Sequence, residues 1–270
     1  MNFLSHLMRL PYARGLWSRF PRGSVEQRVK YGIFPYPHYA FGLYWAALQA
    51  SRLGIARISA LEFGVAGGRG LLAMEAAARQ IGAHLGVAID VFGFDSGEGM
   101  PAPIDYRDLP HIWGQGFYRM DPAQLRSRLA SATLVLGKVE QTVSTWLTAG
   151  QHAPLGFVAF DLDYYSSTKA AFGIFEGAQS RHLPRVYCYF DDVACTTLGC
   201  MNPYVGELLA IKEFNETHAL QKICKIEQLR LERPAWEPWQ ERIFAFHNFA
   251  HSKYNDMLLP QDAAHTQLNL

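Results

Sequence analysis

A chain of 270 residues carrying 25 Lys+Arg against 24 Asp+Glu has a formal net charge of +1, and this balance excludes the electrostatic footprint of a general nucleic-acid partner. Apolar residues make up 49% of the chain, enough for one large buried core, and no uninterrupted apolar run has the length of a membrane span or of a secretory leader. Cys188, Cys195, Cys200 and Cys224 form neither a C-x-x-C pair nor a zinc-site spacing, so the expectation is a cytoplasmic protein with reduced thiols.

Residues 1–35 read as an N-terminal extension and 36–270 as one domain. In the extension Arg9, Arg14, Arg19, Arg22, Arg28 and Lys30 stand against the single acid Glu26 and are interleaved with apolar residues such as Leu16, Trp17 and Phe20. Such an arm packs across its own domain or clasps a second copy in a homodimer, both ranked ahead of contact with a membrane surface. Pro11, Gly15 and Pro21 break any long helix within it.

Helical spacing of Phe41, Tyr44, Ala47 and Leu48 predicts a helix from His38 to Leu53, closed by Gly54. Ile58 to Gly64 then reads as a strand entering a glycine-rich turn, GVAGGRG, and Leu71, Met74, Ala78 and Ile81 mark one face of the following helix. Glycines in such a turn permit positive φ and let a ligand approach the backbone, and the helix start offers free N–H groups. The G-x-G-x-x-G spacing of the dinucleotide fingerprint is not met. A second strand, Val87 to Asp95, ends on an acid placed to accept ribose hydroxyls. Glu62 stands inside an apolar strand, where a carboxylate needs a partner such as a ligand ammonium or hydroxyl. The irregular tract from Ser96 to Met120, rich in aromatics, is a candidate substrate lid.

Asp121 caps a helix to Ala130 with Pro122 in the first position, and Ala132 to Gly137 is a third strand, followed by a helix from Val139 to Thr148. The fourth strand, from Phe157, ends on Asp161 and Asp163, and i, i+2 alternation puts the two on one face. Ser166 or Ser167 caps a helix over 168–177, Pro184 opens a fifth strand ending on Asp191 and Asp192, and 199–218 reads as a helix. Two last strands, 222–232 and 241–250, form an antiparallel hairpin. If the fourth and fifth strands are neighbours, their aspartates converge, and clustered carboxylates of this kind recruit a hard divalent cation such as magnesium. The fold class expected is α/β, a Rossmann-like class I methyltransferase sheet, mostly parallel with a C-terminal antiparallel hairpin and helices on both faces.

The segments EFGVAGGRG (62–70), FGFDSGEGMP (92–101), FDLDYYSST (160–168) and FDD (190–192), in this order, resemble the successive motifs of the macrocin-type O-methyltransferases. That resemblance implies a class I enzyme using S-adenosylmethionine and Mg2+ to methylate a hydroxyl of a sugar, glycoside or other small natural-product-like acceptor. It implies that Glu62, Gly64 and Gly68 form the cofactor turn, that Asp95 and Ser96 hold the ribose, that Asp161, Asp191 and Asp192 are metal ligands, and that Asp163 is the general base. Arg69, Gly97 and Lys138 depart from the family pattern. Two other classes also fit clustered aspartates: a metal-dependent hydrolase or phosphotransferase, which has no need of the glycine turn with Glu62 and Asp95, and a non-catalytic cofactor-binding module.

Overall fold

The computed structural model describes residues 13–150, 152–194 and 197–259. The first part of the basic arm, including Arg9 and Pro11, and Cys195 lie outside the described residues. Helices α1 (Ala13–Arg19) and α2 (Val25–Lys30) lead to α3 (Pro37–Arg52), after which strands and helices alternate. They are β1 (Arg57–Phe63), α4 (Arg69–Leu85), β2 (Ala88–Asp95), α5 (Pro122–Arg128), β3 (Thr133–Leu136), α6 (Val139–Ala149), β4 (Leu155–Phe160), α7 (Tyr165–Ala171) and β5 (His182–Phe190). The chain continues through α8 (Gly206–Thr217), β6 (Gln221–Lys225), the single turn α9 (Leu229–Glu232) and β7 (Ile243–Asn248). No helix among the described residues is long and apolar enough to cross a membrane.

The sheet order is β3-β2-β1-β4-β5-β7-β6. Strands β1 to β5 run parallel, and β7 inserts antiparallel between β5 and β6. The mostly parallel sheet with an antiparallel C-terminal pair therefore stands as expected. β4 is buried along its whole length because both faces are covered. Phe157 and Ala159 join the core beneath α3 and α4, while Val158 and Phe160 join the core beneath α6, α7 and α8. Helix α3 comes close to β4 at Gly42, where a Cβ would lie 2.2 Å from the Phe157 ring. Near the domain, the extension is packed in place: Val29 and Phe34 are part of the same core, and Arg28 donates to Gln80 Oε1 at 2.8 Å.

One register feature positions the site. Phe94, Phe63, Phe160 and Phe190 are cross-strand partners in β2, β1, β4 and β5. Their rings form a row, with centroids 4.8, 5.6 and 4.7 Å apart from one neighbour to the next. One residue beyond each phenylalanine stand Asp95, Gly64, Asp161 and Asp191. The apolar row sets those four positions side by side along the carboxyl edge of the sheet, where open α/β sheets bind ligands.

Several boundaries differ from the sequence expectation. Helix α7 starts at Tyr165 with no cap from its own N-cap residue, and passes into a 3-10 turn over Phe172–Phe175. Its cap comes from the loop instead: buried Asp108 accepts from the Ser166 N–H and hydroxyl, both at 2.9 Å, and from the Ile104 N–H at 2.9 Å. Helix α8 starts at Gly206, not near 199, because Cys200 and Gly206 both take positive φ (47° and 55°). β6 ends at Lys225, since Gln228 at φ 58° turns the chain into α9. β5 begins at His182, and a register irregularity opposite Leu155/Phe157 spans Pro184, which has no N–H for the ladder.

Replacing Asp108 with alanine removes a buried carboxylate that satisfies three donors. The expected loss of stability is about 1.5–3 kcal/mol, read from urea unfolding, with loop 101–120 more protease-sensitive than in the wild type.

Candidate functional site

The carboxyl edge of β1, β2, β4 and β5 opens into a cleft of about 1210 Å³. At its centre is the turn after β1. Gly64 has φ 84°, and a Cβ there would lie 1.7 Å from the Asp161 carbonyl oxygen. Only glycine lets the β1 turn and the end of β4 meet. Gly68, at φ 79°, is the N-cap of α4, which no side chain caps, and Gly67 faces open space. Asp95 clips this turn: one carboxylate oxygen accepts from the Val65 and Ala66 N–H groups at 2.9 Å each, the other from Gly97 N–H at 2.7 Å. Gly64, Asp95 and Ser96 line the cleft. The Ser96 hydroxyl donates to Gly99 O at 2.9 Å and accepts from Glu98 N–H at 3.1 Å, tying its own loop.

Glu62 does not line the cleft. It is buried beneath the turn, where it accepts from Tyr39 Oη at 2.7 Å through Oε1 while Oε2 has no partner. A Cβ on Gly70 would sit 2.0 Å from Glu62 Oε1, so the glycine at 70 makes the space for this carboxyl. Burial pushes its pKa up to about 8, opposed by the Tyr39 hydrogen bond. The partner that an acid in an apolar strand requires is thus supplied by α3.

The paired-acid ends of β4 and β5 are neighbours, as expected. Carboxylate oxygens of Asp161, Asp163 and Asp192 lie within 4.8 Å of one another. Alternation along a strand does not bring Asp161 and Asp163 together, however: β4 stops at Phe160, and Asp163 reaches the cluster from a left-handed turn at φ 59°. Asp192 Oδ2 accepts from the Asp163 N–H at 3.1 Å. Asp191 also borders the cleft but is engaged elsewhere, with Arg242 at 2.6 Å and the Tyr189 hydroxyl at 2.5 Å. Among the described residues no lysine or arginine forms an ion pair with Asp161, Asp163 or Asp192.

Burial first, and then the neighbouring aspartates, push Asp161 and Asp192 well above the usual carboxylate range. The same causes bring Asp163 to about 7. Tyr118, in the aromatic tract, lines the same cleft, and partial burial first and then the four aspartates raise its pKa. Tyr164 and Tyr165 are core residues: Tyr164 donates to Pro101 O at 3.2 Å and Tyr165 to Glu213 at 2.7 Å. Sequence reasoning missed Glu207, Arg242 and Tyr39 as neighbours of the site. Glu207 looks like any first-turn helix acid, and nothing in the sequence shows that it is fully buried (0% exposed) against Asp192.

By sheet order and cleft position the chain has the fold of the class I methyltransferases. Among solved structures it is similar to CalS11, a calicheamicin methyltransferase, at 20% identity over 92% of this chain and 90% of that one, with a TM-score of 0.50. It is also similar to the O-methyltransferase NovP, at 14% identity over 79% and 80% of the two chains, with a TM-score of 0.52. No family model matches the chain, and neither does any curated protein.

The raised acids predict a pH-dependent stability for the ligand-free protein. A carboxyl whose folded pKa is about 8 against an ordinary 4.5 binds more protons folded than unfolded, so its contribution is complete below about 4.5 and is lost as pH rises toward 8. Tm should fall across that window. Glu62→Gln should flatten the fall in part, leaving the share of Asp161, Asp163, Asp192 and Glu207, and an unchanged slope would contradict the assignment.

Proposed function

We propose that the chain is an S-adenosylmethionine-dependent O-methyltransferase, assisted by a divalent ion such as Mg2+, that acts on a hydroxyl of a sugar, glycoside or similar small acceptor. The observation that carries this reading is the pairing, at one cleft, of the Asp95-clipped glycine turn with the unpaired triad Asp161, Asp163 and Asp192. A hydrolase or phosphotransferase has use for the triad but none for the clipped turn. Similarity to a calicheamicin methyltransferase and to an O-methyltransferase supports the same chemistry.

The residues fit both groups. An oxygen-only donor set with no counter-cation of its own suits a hard divalent ion, and Asp161 and Asp192, with Asp163 in reach, would hold it. Asp191, already neutralised by Arg242, is the least available of the four aspartates. For the cofactor, the uncapped start of α4 and the open side of Gly67 accept close approach, and Asp95 with Ser96 flanks the ribose position. A cleft of about 1210 Å³ holds two ligands at once, given that a single small-molecule site takes roughly 300–1,000 Å³.

The sulfonium cofactor supplies the methyl group, and a divalent ion lowers the pKa of a hydroxyl that it binds. Asp163 accepts the hydroxyl proton at its carboxylate. Its left-handed turn and the hydrogen bond from its N–H to Asp192 fix the backbone that carries that carboxylate, above the buried phenylalanine row. Tyr118 and Trp113 cover the acceptor side.

Isothermal titration with S-adenosylmethionine should show binding, and its absence would refute the proposal. Asp163→Asn should lower turnover by at least about 10²-fold while cofactor affinity stays within about twofold; collapse of cofactor binding would remove Asp163 from the base role. Because ion binding requires deprotonated ligands, Mg2+ should raise Tm more at about pH 8 than at about pH 5.5.

A further inference from the structure

Glu207 has no place in the chemistry above, yet it is one of the most completely buried acids among the described residues, with 0% of its surface exposed. It stands in the first turn of α8, and its Oε2 accepts the backbone N–H of Asp192 at 3.0 Å. The other oxygen, Oε1, is buried without a hydrogen-bond partner. Asp192 in turn uses Oδ2 to accept the backbone N–H of Asp163 at 3.1 Å. Two hydrogen bonds in series therefore run from α8 to the residue that takes the proton.

The end of that series is a strained one. Asp163 holds φ 59°, a left-handed conformation that costs a non-glycine residue energy, less for Asp than for most, and that its surroundings hold in place. Gly206, also left-handed at φ 55°, brings the start of α8 against the same turn: a Cβ there would lie 3.7 Å from the Asp163 carbonyl oxygen and 3.3 Å from Leu109 Cδ1. The helix start thus braces the Asp163 turn from outside while Glu207 fixes Asp192 from behind. Among the described residues neither Asp192 nor Asp163 has another acceptor for its N–H, so loss of Glu207 leaves a buried donor unpaired and frees the turn to relax.

We propose that Glu207 is a positioning residue for Asp163, acting through Asp192, and that it works as a hydrogen-bond acceptor. The inference rests on the methyltransferase reading for its functional consequence, but the relay itself is testable without it.

The experiment compares Glu207→Gln, which keeps an acceptor, with Glu207→Ala, and with Glu207→Met should the alanine variant not fold. Amide hydrogen exchange is followed by NMR at Asp163, Asp192 and, as an internal control, Phe157 to Phe160 of β4. Without the acceptor, exchange at Asp192 and Asp163 should accelerate about tenfold to a hundredfold with the β4 amides unchanged. The Kd for Mn2+ measured by EPR should weaken about tenfold, while the Kd for S-adenosylmethionine stays within about twofold. Glu207→Gln should restore exchange and Mn2+ affinity to near wild type. Unchanged exchange at Asp163, equal acceleration in β4, or equal damage in the Gln and Ala variants would each overturn the proposal. Wild-type protein that binds neither S-adenosylmethionine nor Mn2+ refutes the methyltransferase reading instead, and the exchange comparison still decides the relay.

Discussion

Asp161, Asp163 and Asp192 are gathered in a partly buried corner where each raises the cost of ionising the others, and much of the surrounding structure answers that repulsion. Backbone N–H groups are turned toward the carboxylates, Arg242 neutralises Asp191, and the start of α8 meets the cluster from behind. An arrangement of this kind costs stability as long as the acids have no counter-charge. Such cost is retained only because the surrounding fold holds the acids in place.

The second constraint is geometric. The Gly64 turn and the end of β4 meet so closely that no side chain fits between them, so the proposed cofactor end and the acid end of the cleft form one rigid edge. Beneath that edge the stacked phenylalanines of β2, β1, β4 and β5 hold the register that aligns Asp95, Gly64, Asp161 and Asp191. The tract from Ser96 to Met120 is anchored by Asp108, which caps α7. A residue of this tract therefore also fixes the start of the helix that follows the acid motif.

Much of this was legible in the sequence. Apolar runs with helical patterns between them gave the strand and helix order, because burial on both sheet faces demands continuous apolar strands. The paired acids after β4 and β5 marked the site, since the carboxyl ends of strands are where open α/β sheets bind ligands. Misjudged boundaries clustered where a residue takes positive φ without being an obvious turn former, as at Cys200 and Gln228, or where the cap lies far away in sequence, as with Asp108 and α7.

By itself the sequence determined the class of fold and which acids end β4 and β5, because periodicity and strand-end chemistry are local properties. Only the tertiary structure decided how those acids divide. Asp163 joins Asp161 and Asp192 through a left-handed turn, Asp191 is claimed by Arg242 from the segment before β7, Glu62 is satisfied by Tyr39, and Glu207 enters from α8. Each of these depends on which distant segment supplies a donor or charge, even where, as at Glu62 and Glu207, one carboxylate oxygen stays unpartnered, and hydrogen bonds and ion pairs between residues far apart in the chain leave no periodic trace in its sequence.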